Sequence, residues 1–392
     1  MQKKIIALAI AAAFSAPAFA DTSNVTVYGV ANVSYDMTKT GTVNPANSFS
    51  SNKVSSNTSR IGLKGTEDLG DGLSAIWQIE TLINLDNNTN GAPGNTAATN
   101  TLGGRNTFAG LSSKTAGTVL LGRHDTPYNI STRKLDIFAD GIADNRSIMG
   151  GGLGLQTVGA SFDGRQPNVV AYISPAMSGL TAAIAYVAGA EGQTTAAQTK
   201  GSAWSMAGLY SLDAFYASLA YEVHNIGNAP GTLGPVPALV GTVKESATKL
   251  GLGYSVDAFS VGFAYERTSD NFGGVAALGT GALAAGSNVL GHNAYYLAGK
   301  YNVSANDAIK LAYTKAGSLA VDATGTTGAK QFSLGYDHNL SKRTTVYAMY
   351  TKMTNETSGT YALSANGTGA PAVVAAGGAA PSAFSFGMKH TF

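Results

Sequence analysis

Residues able to do chemistry are thinly spread in this chain. It holds 5 histidines and no cysteine, so neither a disulfide framework nor a thiolate metal site can form. The histidines lie too far apart in sequence to suggest a metal site. His124-Asp125 is the pairing a hydrolytic site would use, with the carboxylate orienting the imidazole. No serine elbow or paired-carboxylate signature accompanies it, and a hydrogen bond that anchors a loop is the plainer use. Asp86-Asn87-Asn88-Thr89-Asn90-Gly91 matches the first half of a calcium loop, but Ala97 stands where the bidentate glutamate belongs. A polar loop of turn-formers accounts for it better. The expectation is a protein with no catalytic residues, no metal and no cofactor.

What remains is charge, and its placement is uneven. Charged residues make up 12% of the chain, about half the usual share for a soluble domain (~25%). The stretch of about 125–164 is the richest, with Arg133, Lys134, Asp136, Asp140, Asp144, Arg146 and Asp163. Nowhere do lysines and arginines form the basic patch that nucleic acid requires.

These charges must be positioned by extended elements. Ala258 to Glu266 sets Phe259, Val261, Phe263 and Tyr265 on one face and Ser260, Gly262, Ala264 and Glu266 on the other, the period of two that marks a strand. Segments about 215–224, 248–255 and 331–337 repeat the pattern. Tight turns such as Leu69-Gly70-Asp71-Gly72 and Val256-Asp257-Ala258 take turns with long Gly-, Ala-, Thr- and Asn-rich connections, about 39–58, 86–104, 188–200, 225–244, 267–292, 315–329 and 353–381. Runs of Gly and Ala at 272–291 and 371–383 read as surface loop rather than membrane helix. Sixteen candidate strands result, an even number that lets both chain ends meet on one side. Those near residues 109 and 171 are apolar on both faces, so their lipid side stays open.

Low charge without a long apolar span is the composition of a transmembrane β-barrel, where only alternate residues meet lipid. Such a sheet must close, because open edges in hydrocarbon leave backbone groups unpaired. A barrel of this size keeps a lumen too wide for side chains to fill. Trp77 and tyrosines near strand ends are expected in the interfacial girdle. Residues 1–20 read as a cleaved signal peptide: Lys3 and Lys4, an apolar run from Ile5 to Phe14, then Ala18-Phe19-Ala20. Residues 21–392 are expected to be one barrel domain. Losing two of the 25 basic residues balances the 23 acidic ones.

Several motifs together resemble the Gram-negative general porins of the β-proteobacterial type. Val25-Thr26-Val27-Tyr28-Gly29 is similar to the opening strand, and Ser59 to Gly70 to the second strand and its turn. Gly110-Leu111 through Gly117-Thr118-Val119 to Leu121-Gly122-Arg123, with Thr126-Pro127, resembles the entry to the constriction loop. The last strand ends in the aromatic Phe392, which the resemblance implies is the barrel-assembly signal read by the assembly machinery. It implies a sixteen-stranded, antiparallel, up-and-down barrel, and a homotrimer in the outer membrane among lipid and lipopolysaccharide. It also implies a loop, here about 125–164, folded into the lumen. Carried over by position, the basic side of the constriction is Arg60, Lys64, Arg123 and Arg165; the loop's acidic side is Asp136, Asp140 and Asp144. Each arginine could either line the field or pin the loop. Four wall bases against three loop acids hint at anion preference. The implied function is passive diffusion of small hydrophilic solutes and ions; a substrate-specific channel, or an adhesin or structural barrel, are the alternatives.

Overall fold

The computed structural model describes residues 24–42, 48–86, 102–150, 161–189, 193–227, 243–274, 283–363 and 377–392. The expected signal segment, most of the Asp86–Gly91 motif and parts of the long connections lie outside them. Before the inserted loop run β1 (Asn24–Lys39), β2 (Ser50–Ser56), β3 (Arg60–Gly70), β4 (Leu73–Leu82), β5 (Thr107–Ser113) and β6 (Gly117–Asp125). The loop holds the short helix α1 (Pro127–Arg133). After it come β7 (Arg165–Ile173), β8 (Leu180–Ala188), β9 (Ser202–Leu212), β10 (Phe215–Ile226), β11 (Val243–Val256) and β12 (Phe259–Asp270). The last five are β13 (Asn293–Asn302), β14 (Asp307–Ala316), β15 (Ala329–Asn339), β16 (Thr344–Asn355) and β17 (Ser382–Thr391).

β2 and β3 are halves of one wall strand, since both pair with β1 in sequence. They are separated at Asn57–Ser59, where Thr58 takes φ 56° and the Ser59 hydroxyl accepts from the Asn32 amide and donates to its carbonyl. The described residues therefore build sixteen antiparallel wall strands, as the alternation predicts. The upper half, β2, falls inside the connection expected at 39–58; its four serines, Asn52 and Lys53 leave Val54 alone, too little to read as an apolar face.

Every strand pairs with its sequence neighbours, and β17 pairs with β1 from Val30↔Thr391 to Lys39↔Ser382. Closure ends with Gly29 and Phe392 exchanging backbone hydrogen bonds of 3.0 and 3.1 Å. A Cβ on Gly29 would stand 2.3 Å from the Phe392 ring, so glycine is what admits the terminal aromatic. Tight turns use left-handed residues, Gly70, Asp71 and Gly72 in one, Asp213 and Asp257 in two others.

Outward side chains form the apolar band, among them Leu63, Leu219, Phe259, Leu297 and Leu334. Trp77 lies on this face, with its indole packed over Gly65. The two strands of unclear phase resolve as well. Leu111 and Val170 point out, whereas Val169 and Ala171 join Leu120, Ala185, Val187 and Ala203 in an apolar patch of the inner wall. That patch explains why both faces read as apolar.

Candidate pore constriction

After Asp125 the chain leaves the wall and enters the lumen. Thr126 caps α1 by accepting from the Asn129 amide, and Pro127 begins the helix, a position where its missing N–H costs nothing. Tyr128 is fully buried; its amide donates to Ser205 Oγ and its hydroxyl to Glu266 at 2.7 Å. Tyr216 and Ser218 both donate to the Ser131 carbonyl. Farther along, Phe138, Ile142, Ala143, Ile148 and Met149 pack on Ala264, Ala298, Ala312, Ala316 and Met349 of the wall. Small residues on the inner face are what make room. A Cβ on Gly253 would meet Leu135 at 2.8 Å, and one on Gly335 would meet Phe138 at 2.7 Å. The loop thus lies along the inner wall of β8–β17, and its returning arm is held by Lys249, which reaches Asp163 at 2.5 Å and Glu266 at 3.4 Å.

Most acids of the loop are spent on the loop itself. Asp144, fully buried, takes Arg133 through two hydrogen bonds (3.1 and 2.7 Å), takes Arg146 (3.2 and 3.1 Å), and caps a 3-10 turn by accepting from the Arg146 amide. Asp136 accepts from the Phe138 and Asn145 amides and from the Tyr296 hydroxyl. Asp140, held at φ 69°, bonds Arg133 at 2.9 Å and reaches across to Arg60 at 3.6 Å. Burial first and the Asp144 charge second push Asp136 up to about 7. Burial acts on Asp144 too, but Arg133 and Arg146 outweigh it and hold that carboxyl well below its ordinary range.

On the wall, Arg60 meets Glu80 at 3.8 Å as well as Asp140. Glu80 also receives Arg105 at 2.5 Å and the Tyr28 hydroxyl at 3.0 Å. Lys64 shares this inner face, with its ammonium 5.4 Å from the Tyr28 ring, and makes no ion pair among the described residues. Arg165 closes the root of the loop, bonding Asp125 at 2.8 Å and Asn106 at 2.6 Å. Arg123 is not brought to this group: it stands opposite Thr107, on the strand face of Val119 and Leu121, and donates to the Gly104 carbonyl. The aperture is thus bounded by the β3–β7 wall and the loop, with Arg60–Asp140 at one end and Arg165–Asp125 at the other.

Sequence reasoning missed Glu80 and Arg105, as well as the buried Lys249, Glu266, Glu222 and His224 behind the loop. The last two are hydrogen-bonded at 2.7 Å, with Phe162 stacked on the imidazole. For Lys249, Glu266, Glu222 and His224 the signal was present as charged or polar residues on the small-residue face of alternating strands; Arg105 lies in the connection before β5, where alternation gives no reading. His124 donates no catalytic geometry; its Nδ1 lies 2.7 Å from the Asp125 carbonyl. No group of ligands able to hold a metal occurs among the described residues.

Comparison with known proteins fits this geometry. A sequence model described as Gram-negative porin matches residues 7–358. Outer membrane porin protein 32 of Delftia acidovorans is 30% identical, with all of both chains covered. An outer membrane porin of Bordetella pertussis is 30% identical over 89% of this chain and 93% of its own. In structure, an anion-selective porin from Comamonas acidovorans aligns with TM-score 0.75 at 24% identity, covering 95% of this chain and all of that one. An outer membrane protein of Vibrio cholerae in trimer form aligns at 0.64 with 16% identity, covering 95% and 100%. A closed barrel with its longest connection folded into the lumen, matched in sequence along most of its length, is an outer-membrane porin channel, and the chain belongs to the Gram-negative porin family.

Proposed function

We propose that the channel is a passive diffusion pore for small hydrophilic solutes and ions, with anions favoured at the constriction. The observation that carries this is the split of the loop's charges. Asp136 and Asp144 serve the loop's own fold, while Arg60 and Lys64 stand on the inner face of β3 and Arg105 in the connection before β5, where it pairs with Glu80. Around the aperture Arg60, Lys64, Arg105, Arg133 and Arg146 face Glu80, Asp136, Asp140 and Asp144, five cations against four carboxylates. With Asp136 the first to hold a proton, the excess is positive. Charge of one sign in a narrow, low-dielectric passage raises the local concentration of counter-ions. Of the residues expected at the constriction, Arg60, Lys64 and Asp140 are assigned to lining the passage. Arg165, Asp136 and Asp144 are assigned to pinning the loop, and Arg123 to neither. The related Comamonas porin is described as anion-selective, which supports the same sign here.

The working unit is proposed to be a homotrimer. β5 has 7 residues; at about 3.3 Å per residue and 45° tilt it rises about 16 Å, short of the ~25 Å apolar band. Such a wall needs a protein neighbour. Phe392 and the closing strand are proposed as the part read by the assembly machinery. Single-channel recording with a salt gradient tests the reading. Steps in groups of three with a reversal potential of anion sign are expected; a folded barrel that never conducts would point instead to an adhesin or structural role.

A further inference from the structure

Beside α1 the inserted loop and the inner wall of β8 to β10 leave a cavity of about 530 Å³ between them, within the range of small-molecule sites, about 300–1,000 Å³. Ile130, Arg133 and Lys134 border it from the loop, Leu209 and Tyr216 from the wall, and Asp125 from the loop's root. Leu209 and Tyr216 flank the tight turn between β9 and β10, so the cavity lies toward the tight-turn end of the lumen. Ile130 and Lys134 are both exposed, so it opens to the water inside the barrel.

Three charged groups border this space, and two of them are already answered. The Arg133 guanidinium bonds Asp140 at 2.9 Å and Asp144 at 2.7 Å, and Asp125 is held by Arg165 at 2.8 Å. Lys134 meets no carboxylate among the described residues. Its ammonium sits instead 3.3 Å from the centre of the Tyr216 ring, and that ring is fixed by its hydroxyl, which donates to the Ser131 carbonyl. An aromatic face attracts an ammonium through its quadrupole without cancelling the charge. One positive charge is thus held in place and left unanswered. Ile130 stands one turn earlier on the same face of α1, four residues from Lys134. Its side chain is an apolar surface left in lumen water, 37% exposed, and removing such surface from water is favourable.

We propose that this cavity is a binding subsite for a small organic monoanion with an apolar body, of the class of the aromatic carboxylates. The carboxylate pairs with Lys134, and the ring lies on Ile130 and Leu209. A bare inorganic anion would answer the charge but leave Ile130 wet. A dicarboxylate would bring a second charge near Asp125 with no free cation to meet it. The subsite rests on the diffusion reading only for access, since solutes must enter the lumen to reach it.

The test uses the full barrel in two measurements. Saturation-transfer NMR on the detergent-solubilised barrel reads binding of benzoate, with benzamide as its uncharged analogue and succinate as a dianion. Benzoate should bind in preference to both. K134Q should weaken it by up to about fivefold, the worth of one exposed ion pair. I130N should weaken it severalfold through lost apolar contact, while K114Q in the turn between β5 and β6 leaves it unchanged. Single-channel recording in chloride should then show partial closures on adding benzoate that K134Q shortens. A channel that conducts chloride but binds benzoate no better than benzamide overturns the subsite and leaves the diffusion reading standing. Benzoate binding unchanged in both K134Q and I130N overturns it as well. A barrel that binds benzoate through Lys134 yet never conducts upholds the subsite and overturns the diffusion reading.

Discussion

Arg60 is the residue on which two roles meet, because it touches both the wall carboxylate Glu80 and the loop carboxylate Asp140. Both pairs are long, at 3.8 and 3.6 Å, and Glu80 and Asp140 each keep a closer arginine, so neither carboxylate is left unpaired when Arg60 is lost. Arg60→Gln should leave a folded barrel and move the reversal potential toward zero; an unchanged potential would assign Arg60 to pinning alone. Asp136 adds a pH dependence. An ordinary aspartate loses its proton near 4, whereas this one is pushed up to about 7. Its contribution to the folded loop is therefore full at low pH, falls as pH climbs from about 4 to 7, and is flat above. In the folded barrel one negative charge appears beside the aperture as pH rises through about 7. Anion preference should be stronger at pH 5 than at pH 8, and Asp136→Asn should flatten that difference; a variant that keeps the full wild-type step removes Asp136 as its source. The expectation of acids on the loop and bases on the wall was legible for Arg60 and Asp140. It was not legible for Asp144, whose burial between Arg133 and Arg146 depends on how the loop folds on itself.

At the scale of elements, the alternation reads well wherever one face meets lipid. Most of the sixteen wall strands were visible for that reason, the exceptions being β5 and β7, apolar on both faces, and β2, hidden in an expected connection; the closing pair of β1 and β17 follows from the even count. The inner face is less readable because two demands share it. Where water or charge lines it, polar residues alternate as expected. Where the loop docks, small residues appear: Gly253, Gly262 and Gly335 seat Leu135 and Phe138. Sequence shows these glycines but gives no partner for them. Gly335→Val puts side-chain atoms into the space of Phe138, and overpacking of this kind costs about 1–3 kcal/mol. Phe138 should leave its seat, and the channel should show larger and noisier conductance. A variant as quiet as the wild type would mean that the loop is held by Lys249, Tyr128 and Tyr296 alone. Gly29 is a second such seat, for Phe392. Gly29→Val should lower the yield of heat-resistant barrel without altering conductance in the channels that do form.

The molecule as a whole has two unlike sides. β10 to β12 run 12, 14 and 12 residues, long enough at barrel tilt to cross the apolar band unaided. β5 to β8 run only 7 to 9 residues, so part of the bilayer depth there is faced by connections whose backbone groups lipid cannot satisfy. A bare barrel would have to thin the membrane around this sector, whereas subunits that turn it toward one another need not. Leu111, outward on β5 and about half exposed in the single chain, tests the division. Leu111→Arg would bury a charge between subunits with no partner, a change costing several kcal/mol. The expected product is a folded barrel with the mass of one chain by light scattering and with conductance steps taken singly. The same charge at Leu297, outward on β13, faces lipid instead and should reduce insertion while leaving the surviving barrels in threes. If both variants keep their trimers, the short strands must be shielded some other way.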